Sequence, residues 1–520
     1  MPTFAAVDLG SNSCRLKIVS VVGNRLKTLH EDREVNRLGE SVFQTGMISP
    51  EAMEITLRAL KRFQRATQLH AVDRVRLVAT SAMRDARNAA ALVEWVKNET
   101  GWVIEVISGL EEGRLIHLGV VTYEPGATGR CLLIDLGGGS CEITISEASN
   151  IKAMVSTPLG AVRLQQFLQQ DPPAKDDIGR LCQFVDRELA RAEKKLPGAK
   201  RVGLVIATSG TAGALAEASL AMKTQGAVRK KASAKKFERL RVVEAATPDI
   251  RALADKLTRM TNAQREAFPG IGPKRSEIII GGAVVYAGLL ERLELKGFRY
   301  SELGLRDGML AQMQAETQHR GAVHQKIESE RWKGVLGVCH RYGIELKAME
   351  PVRQHAMQLF DALRSVHQLP DAYRLWLEAA AAMQDIGKFV NHQGRHRHTQ
   401  YLIANSEIFG FSPEQRLIVS LIARYLGKTE PELTDRPMRA LAAEEHPRIP
   451  KAVVLLRLAV ALNQDRASAP LKLSTTVYPK RVVLELRGGR AGAELEAWAL
   501  RREAAYFRDT FRRELLVEVL

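Results

Sequence analysis

Two stretches of this chain are near-copies of each other: Ala6-Val7-Asp8-Leu9-Gly10-Ser11-Asn12-Ser13-Cys14 and Leu133-Ile134-Asp135-Leu136-Gly137-Gly138-Gly139-Ser140-Cys141. Each reads as an apolar strand that reaches an aspartate, a loop of residues too small to obstruct the backbone, and a second strand. Such a loop can turn its N–H groups around phosphate oxygens while the aspartate faces the same point, placed to hold a metal or a water. Gly10, Ser11, Asn12 and Ser13, with Gly137, Gly138, Gly139 and Ser140, are the candidate phosphate-binding residues. A pair of these units implies a cleft between two similar lobes.

At 520 residues the chain is too long for one core. Its 76 Lys and Arg against 59 Asp and Glu give a net charge of +17, which suits a polyanionic partner. Aromatic residues make up only 5%, which disfavours a base-stacking surface and specific nucleic-acid recognition. Cys14, Cys131, Cys141, Cys182 and Cys339 show no metal-ligand spacing, as in a reduced cytoplasmic protein. No basic leader precedes the first strand and no apolar run reaches the length of a bilayer span, so export and an integral membrane segment are not expected.

After the first loop, alternation from Arg15 to Val21 and from Arg25 to Val35 predicts a hairpin around Gly23-Asn24. Ser49-Pro50-Glu51 opens a helix, and the strand Val75 to Ala79, a helix through Leu92 and Val96, and the strand Val103 to Ile107 follow. The same order then recurs through a strand to Val155, helices from Val162 to Leu196 and the strand Val202 to Ala207. Ile278-Ile279-Ile280 reads as a further strand leading through Gly281-Gly282 into a helix. A short strand near Phe298 to Ser301 precedes Gly304-Leu305-Arg306-Asp307-Gly308, which opens a helix leaving the second lobe. From Gln314 the chain turns polar and then helical to about Asn463, with Ser412-Pro413-Glu414-Gln415 spaced as a capping box. A strand pair near Val477 to Leu486, a helix and a terminal strand end the chain. The expected architecture is α/β: two actin-like lobes of the Hsp70-like, ribonuclease H-like kind (1–126 and 127–313), an all-α domain (314–468) and a small α+β C-terminal domain (469–520).

Between the loops, Ile107-Ser108-Gly109-Leu110-Glu111-Glu112-Gly113-Arg114 runs from strand into helix. Ser108 and Glu111 have capping-box spacing, which gives Glu111 a structural task and leaves Glu112, about 100° further round, free to face a cleft. A carboxylate at a helix N-terminus stays ionised, as a general base requires; the plainer alternative is a solvated first turn. A third small-residue loop, Ala207-Thr208-Ser209-Gly210-Thr211, adds Ser209, Gly210 and Thr211 to the phosphate-binding set.

The strings Phe4 to Ser13, Val106 to Ile116 and Ile134 to Ser140 closely resemble the exopolyphosphatase/guanosine pentaphosphate phosphohydrolase (Ppx/GppA) family, and most resemble its long-form exopolyphosphatases. The resemblance implies Mg²⁺-assisted hydrolysis of terminal phosphoanhydride bonds, of inorganic polyphosphate or of pppGpp, with K⁺ as an activator and a homodimer as the assembly. It also implies Glu112 as catalytic base, Asp8, Asp135 and Glu142 as the metal sphere, and Arg84, in Thr80-Ser81-Ala82-Met83-Arg84, as a phosphate contact; a solvated first-turn arginine is the alternative for Arg84. The helical region resembles an HD phosphohydrolase domain. His355 fits the first ligand of that set, but Gln384-Asp385 replaces its His-Asp pair and Val460 stands where its last aspartate would be. The bundle is therefore expected to bind substrate and assemble rather than catalyse. The loop Asn391 to His398, with His392, His396 and His398, reads as a polyanion channel or helix cap ahead of a metal site.

The basic run from Lys223 through Lys230, Lys231, Lys235, Lys236 and Arg239 is either a solvated surface or a guide for a polymer. A small-molecule kinase of the same fold and a non-catalytic polyphosphate or nucleotide sensor are the readings from other classes. No acceptor site marks the first, and the second requires Glu112 to be dispensable.

Overall fold

The computed structural model describes residues 1–23, 25–124, 126–227, 243–318, 322–427, 429–464, 471–487 and 493–520. It divides into two compact units, Met1–Gln325 and Lys326–Leu520. Lys230, Lys231, Lys235, Lys236 and Arg239 lie outside the described residues.

The first unit is built on two sheets. One comprises β1 (Thr3–Leu9), β2 (Cys14–Val22), β3 (Arg25–Glu34), β4 (Arg74–Ala79) and β5 (Ile104–Val106), in the order β3-β2-β1-β4-β5. The other comprises β6 (Cys131–Leu136), β7 (Cys141–Glu147), β8 (Asn150–Thr157), β9 (Leu204–Thr208), β10 (Glu244–Ala246) and β11 (Gly297–Tyr300), in the order β10-β11-β9-β6-β7-β8. In each, three antiparallel strands are followed by parallel ones, β1-β4-β5 and β6-β9-β11, so the repeat seen in the sequence is a repeat of topology. Registers coincide as well: Asp8 lies opposite Arg15, and Asp135 opposite Glu142.

Local signals account for most element ends. Ser49 caps the Pro50–Leu69 helix by accepting from Ala52 N–H at 3.2 Å, and Pro50 occupies its first turn. The Ile278-Ile279-Ile280 run is helical, contrary to the expected strand; the Ile279–Arg292 helix begins there. A short apolar run has no periodicity that separates a strand from a wholly buried helix, and this helix is buried nearly all round.

Between the sheets lie two crossing helices, Gly109–Tyr123 and Leu305–Gln318. They share a core in which Leu115, Val120, Met309 and Met313 meet Ala6 and Val78 of one sheet and Leu133 and Ile206 of the other. The Leu305–Gln318 helix thus turns back onto the Gly109–Tyr123 helix instead of simply leaving the second lobe. Gly308 permits that approach, since a Cβ there would fall 1.8 Å from the Leu115 carbonyl oxygen. The crossing also settles Glu111. Ser108 Oγ accepts from Glu111 N–H at 3.1 Å, the hydroxyl half of the expected capping box, while the Glu111 carboxylate is forked by Arg114 at 2.8 and 2.8 Å. Arg114, 1% exposed, then reaches Gln312 of the other helix at 2.6 Å.

The second unit packs helices from Leu346–Ala362 to Arg448–Ala461 around one core, to which β12 (Lys472–Val477), β13 (Arg481–Arg487) and β14 (Glu514–Val519) contribute Leu473, Val482, Leu484 and Leu515. Ser412 and Gln415 form the expected capping box. No helix among the described residues is long and apolar enough to cross a membrane.

Candidate active site

Both glycine hairpins close on the same backbone turn, Gly10 N–H donating to Ser13 O at 3.1 Å and Gly137 N–H to Ser140 O at 3.0 Å. Their remaining carbonyls are drawn outward. Gly39 N–H takes Ser11 O at 2.7 Å, and the first turn of the Ala161–Leu164 helix takes Gly137 O and Gly138 O at 3.0 and 2.8 Å. The amides of Asn12, Gly138 and Gly139 donate to no protein acceptor among the described residues. Chains so arranged expose N–H groups inward, the requirement for a phosphate cradle.

The hairpins flank a cleft of about 590 Å³. Its wall brings together Asp8, Gly10 to Ser13, Glu112, Asp135, Gly137 to Ser140, Ser209 and Gly210. Three expected site residues do not reach that wall. Thr211 is buried with its methyl group against the space beside Gly282. Arg84 sits behind Glu112: one guanidinium nitrogen donates to Glu112 Oε2 at 2.9 Å and to Ile107 O at 2.8 Å, the other to Ser140 Oγ at 3.4 Å. In this arrangement Arg84 holds one oxygen of the glutamate and reaches the last residue of the second hairpin loop. Glu142, 2% exposed, is covered by the first turns of the Gly109–Tyr123 helix and accepts from Ser156 Oγ at 2.7 Å, while its Oε2 has no partner.

Burial dominates the electrostatics of the acidic set. Glu112, 7% exposed, is pushed up to about 7, because burial and the nearby Asp135 and Asp8 outweigh Arg84. The helix N-terminus was expected to keep it fully ionised; desolvation wins, and leaves a group poised between its two forms near neutrality. Burial also raises Asp8, against Arg15 and Arg306, and raises Asp135, against a hydrogen bond from Thr208. Glu142 is driven well above the carboxylate range by burial, then by Glu112 and Asp135.

Opposite these acids the cleft carries Arg15, Lys17, Arg33, Arg275 and Arg306. Lys17 is committed to Asp307 at 2.8 Å and Arg306 to Glu31 at 3.3 Å. Arg33 is pushed down to about 10 by burial and by Arg15, Arg275 and Arg306, and Arg275 is lowered by burial and Arg15. Repulsion of this kind is relieved by an anion. Arg306 lay within a motif the sequence singled out; Arg33 and Arg275 gave no sequence signal, being single arginines in a strand and a loop.

In the second unit His355 is a satisfied core residue, its two ring nitrogens bonded to Leu471 O and the Asn463 amide at 2.9 Å each. Asp385 pairs with Lys388 at 2.5 Å. His396 is pushed down to about 4 by burial and Arg395. No three His, Cys, Asp or Glu side chains close on one point among the described residues, in this unit or in the cleft.

Two small-residue hairpins, a buried carboxylate and a cationic wall are an arrangement that suits a hydrolase of phosphoanhydride bonds. The chain belongs to the Ppx/GppA phosphatase family, whose sequence model matches residues 17–317, with the model of the family's domain III matching residues 331–504. Among solved structures it is similar to an exopolyphosphatase from Cytophaga hutchinsonii (28% identity, 60% of this chain and 97% of that one, TM-score 0.54). It is also similar to a Ppx/GppA family member from Aquifex aeolicus (28% identity, 61% and 99%, TM-score 0.51) and to an exopolyphosphatase-like protein (29% identity, 59% and 96%, TM-score 0.53).

Proposed function

We propose that this chain is an exopolyphosphatase, which releases orthophosphate from the end of inorganic polyphosphate by in-line attack of water. The observation that carries this reading is the position of Glu112, on the wall of a cleft that both glycine hairpins flank and that Arg15, Arg33 and Arg275 also line. The hairpin amides at Gly10 to Ser13 and Gly137 to Ser140 hold the terminal phosphoryl group. Glu112, its Oε2 held by Arg84, orients a water with the other oxygen and takes its proton. Arg15, Arg33 and Arg275 meet the charge of the shortened chain, which leaves as a stable anion and needs no covalent intermediate. Two actin-like lobes around such a cleft and an HD-like bundle without its metal ligands remain the fold reading that accompanies this function.

The acidic set fits a hard divalent cation: an unpartnered, buried Glu142 oxygen and three carboxylates raised by burial are what a cation would stabilise in ionised form. Asp8 and Asp135, the two of the set on the cleft wall, would hold Mg²⁺, with Glu142 paired opposite Asp135 across β6 and β7, and the ion would supply charge neutralisation on the phosphoryl oxygens.

Phosphate release from long-chain polyphosphate, pppGpp and ATP, measured under one condition, tests the assignment. Polyphosphate is expected to lead; preference for pppGpp moves the chain to the guanosine pentaphosphate branch. Glu112→Gln is expected to lower kcat by about 10³-fold, within the usual range for a general base, with substrate affinity largely kept. Unchanged turnover in that variant removes Glu112 from the mechanism. Mass in solution tests the homodimer.

A further inference from the structure

Arg163 lies outside the cleft wall and outside every motif discussed above, yet it joins the two lobes beside the second hairpin. Its Nε donates to Gly139 O at 2.7 Å, at the tip of that hairpin. From there it reaches across to the first lobe, donating to Ser81 Oγ at 3.0 Å, pairing with Asp85 and lying over the Phe43 ring at 4.0 Å. We propose that Arg163 is a positioning residue for hydrolysis: it clasps the second hairpin to the Ser81–Asp85 helix and so sets where that helix places Arg84 against Glu112.

The short helix needs such a clasp. Five residues cannot hold a helix by their own hydrogen bonds, and Thr80 gives it no side-chain cap. Its position comes from its neighbours: Ser11 Oγ accepts from Ala82 N–H at 3.2 Å, Arg163 grips Ser81 and Asp85, and Arg84 grips Glu112 and Ser140. Arg84 and Asp85 are adjacent, so a shift of the Asp85 end moves the other. The Asp85 pair alone would contribute little, since that carboxylate is 41% exposed. What a lysine could not reproduce is the fork, which bonds Gly139 O and Ser81 Oγ at once while its plane covers Phe43.

The inference rests on the hydrolytic reading of the cleft, and steady-state kinetics of Arg163→Gln, Arg163→Lys, Asp85→Asn and the double variant Arg163→Gln/Asp85→Asn test it, on whichever phosphoanhydride the parent turns over. Displacing Glu112 by a fraction of an ångström should lower kcat of Arg163→Gln by about 30-fold with KM within about threefold. Arg163→Lys should recover only a small part of that loss, and Asp85→Asn should cost about threefold. The double variant should match Arg163→Gln within about twofold, because both changes break one linkage. An unchanged kcat, a loss confined to KM, full recovery in Arg163→Lys, multiplicative losses in the double variant, or a loss that follows a fall in melting temperature would each overturn the proposal. Asp85→Asn, altered at an exposed group, keeps the test open should Arg163→Gln fold poorly. A parent chain without turnover on polyphosphate, pppGpp or ATP defeats the functional reading itself.

Discussion

The two glycine hairpins share a turn and a register and differ in one cross-strand pair. Asp8 faces Arg15 across β1 and β2, whereas Asp135 faces Glu142 across β6 and β7. Arg15 lines the cleft; Glu142 is sealed under the Gly109–Tyr123 helix with one oxygen unpartnered. A repeated backbone therefore supplies one turn twice, and the cross-strand neighbour of each aspartate decides whether it meets a positive charge or an extra carboxylate. Glu112 stands beside the second hairpin in electrostatic terms as well, since after burial it is the largest influence that raises the Glu142 carboxyl.

The comparison breaks most visibly within the second hairpin, which carries Gly139 where the first has Asn12. A Cβ on Gly139 would meet Ser81 Oγ at 2.5 Å and Phe43 at 2.6 Å, whereas one on Gly137 finds only Ser140 O at 3.6 Å. Gly139→Ala is expected to lower kcat/KM for polyphosphate by about 10²-fold, the scale of a misplaced reacting geometry, and Gly137→Ala by far less. Equal losses would mean that Gly139 is not seated more tightly than Gly137.

Next in size is the Arg15 side of the pair. Arg15→Gln should raise KM for polyphosphate about tenfold and make its dependence on the logarithm of salt concentration shallower by about one unit, the loss of one phosphate contact. Glu142→Gln should leave that slope unchanged.

A pH profile sharpens the assignment of the base. With Glu112 pushed up to about 7, kcat/KM should fall about tenfold per unit below that pH, since protonation removes the acceptor for the water proton. A limb near the ordinary glutamate range would show that the group is not held in its buried state during turnover.

The smallest effect is on stability. Glu142 holds its proton to higher pH in the folded chain than in the unfolded one, so raising the pH above the ordinary carboxylate range favours unfolding. Without divalent metal, Glu142→Gln should therefore melt a few degrees above the parent at pH 8, and the gap should close toward pH 4. A constant gap across that range would point to packing in place of ionisation.

Much of this site was legible because it follows from local rules. Alternation and small-residue turns gave both hairpins, and Ser49 and Ser412 gave helix starts that the structure keeps. Ile278 to Ile280 failed because a fully buried segment carries no amphipathic period. Glu111 was given a local task and holds a tertiary one, through Arg114 to Gln312, 198 residues away along the chain. Arg84 was read as a phosphate contact, and the folded arrangement adds its bond to Glu112 beside the one to Ser140.

Sequence alone determined the repeated strand–loop–strand units, the glutamate between them and the excess of positive charge, since each is set by residue type and spacing within a few turns of chain. Tertiary structure decided which carboxylate lies on the wall and which lies beneath a helix, which arginines line the cleft, and that Arg163 bonds the second hairpin to Ser81 and Asp85. Burial and distance between residues remote in the chain fix charge state and contact, and neither is written in the spacing of neighbours. The paired hairpins are thus legible from neighbouring residues, while the packing around them decides which charged groups share their cleft.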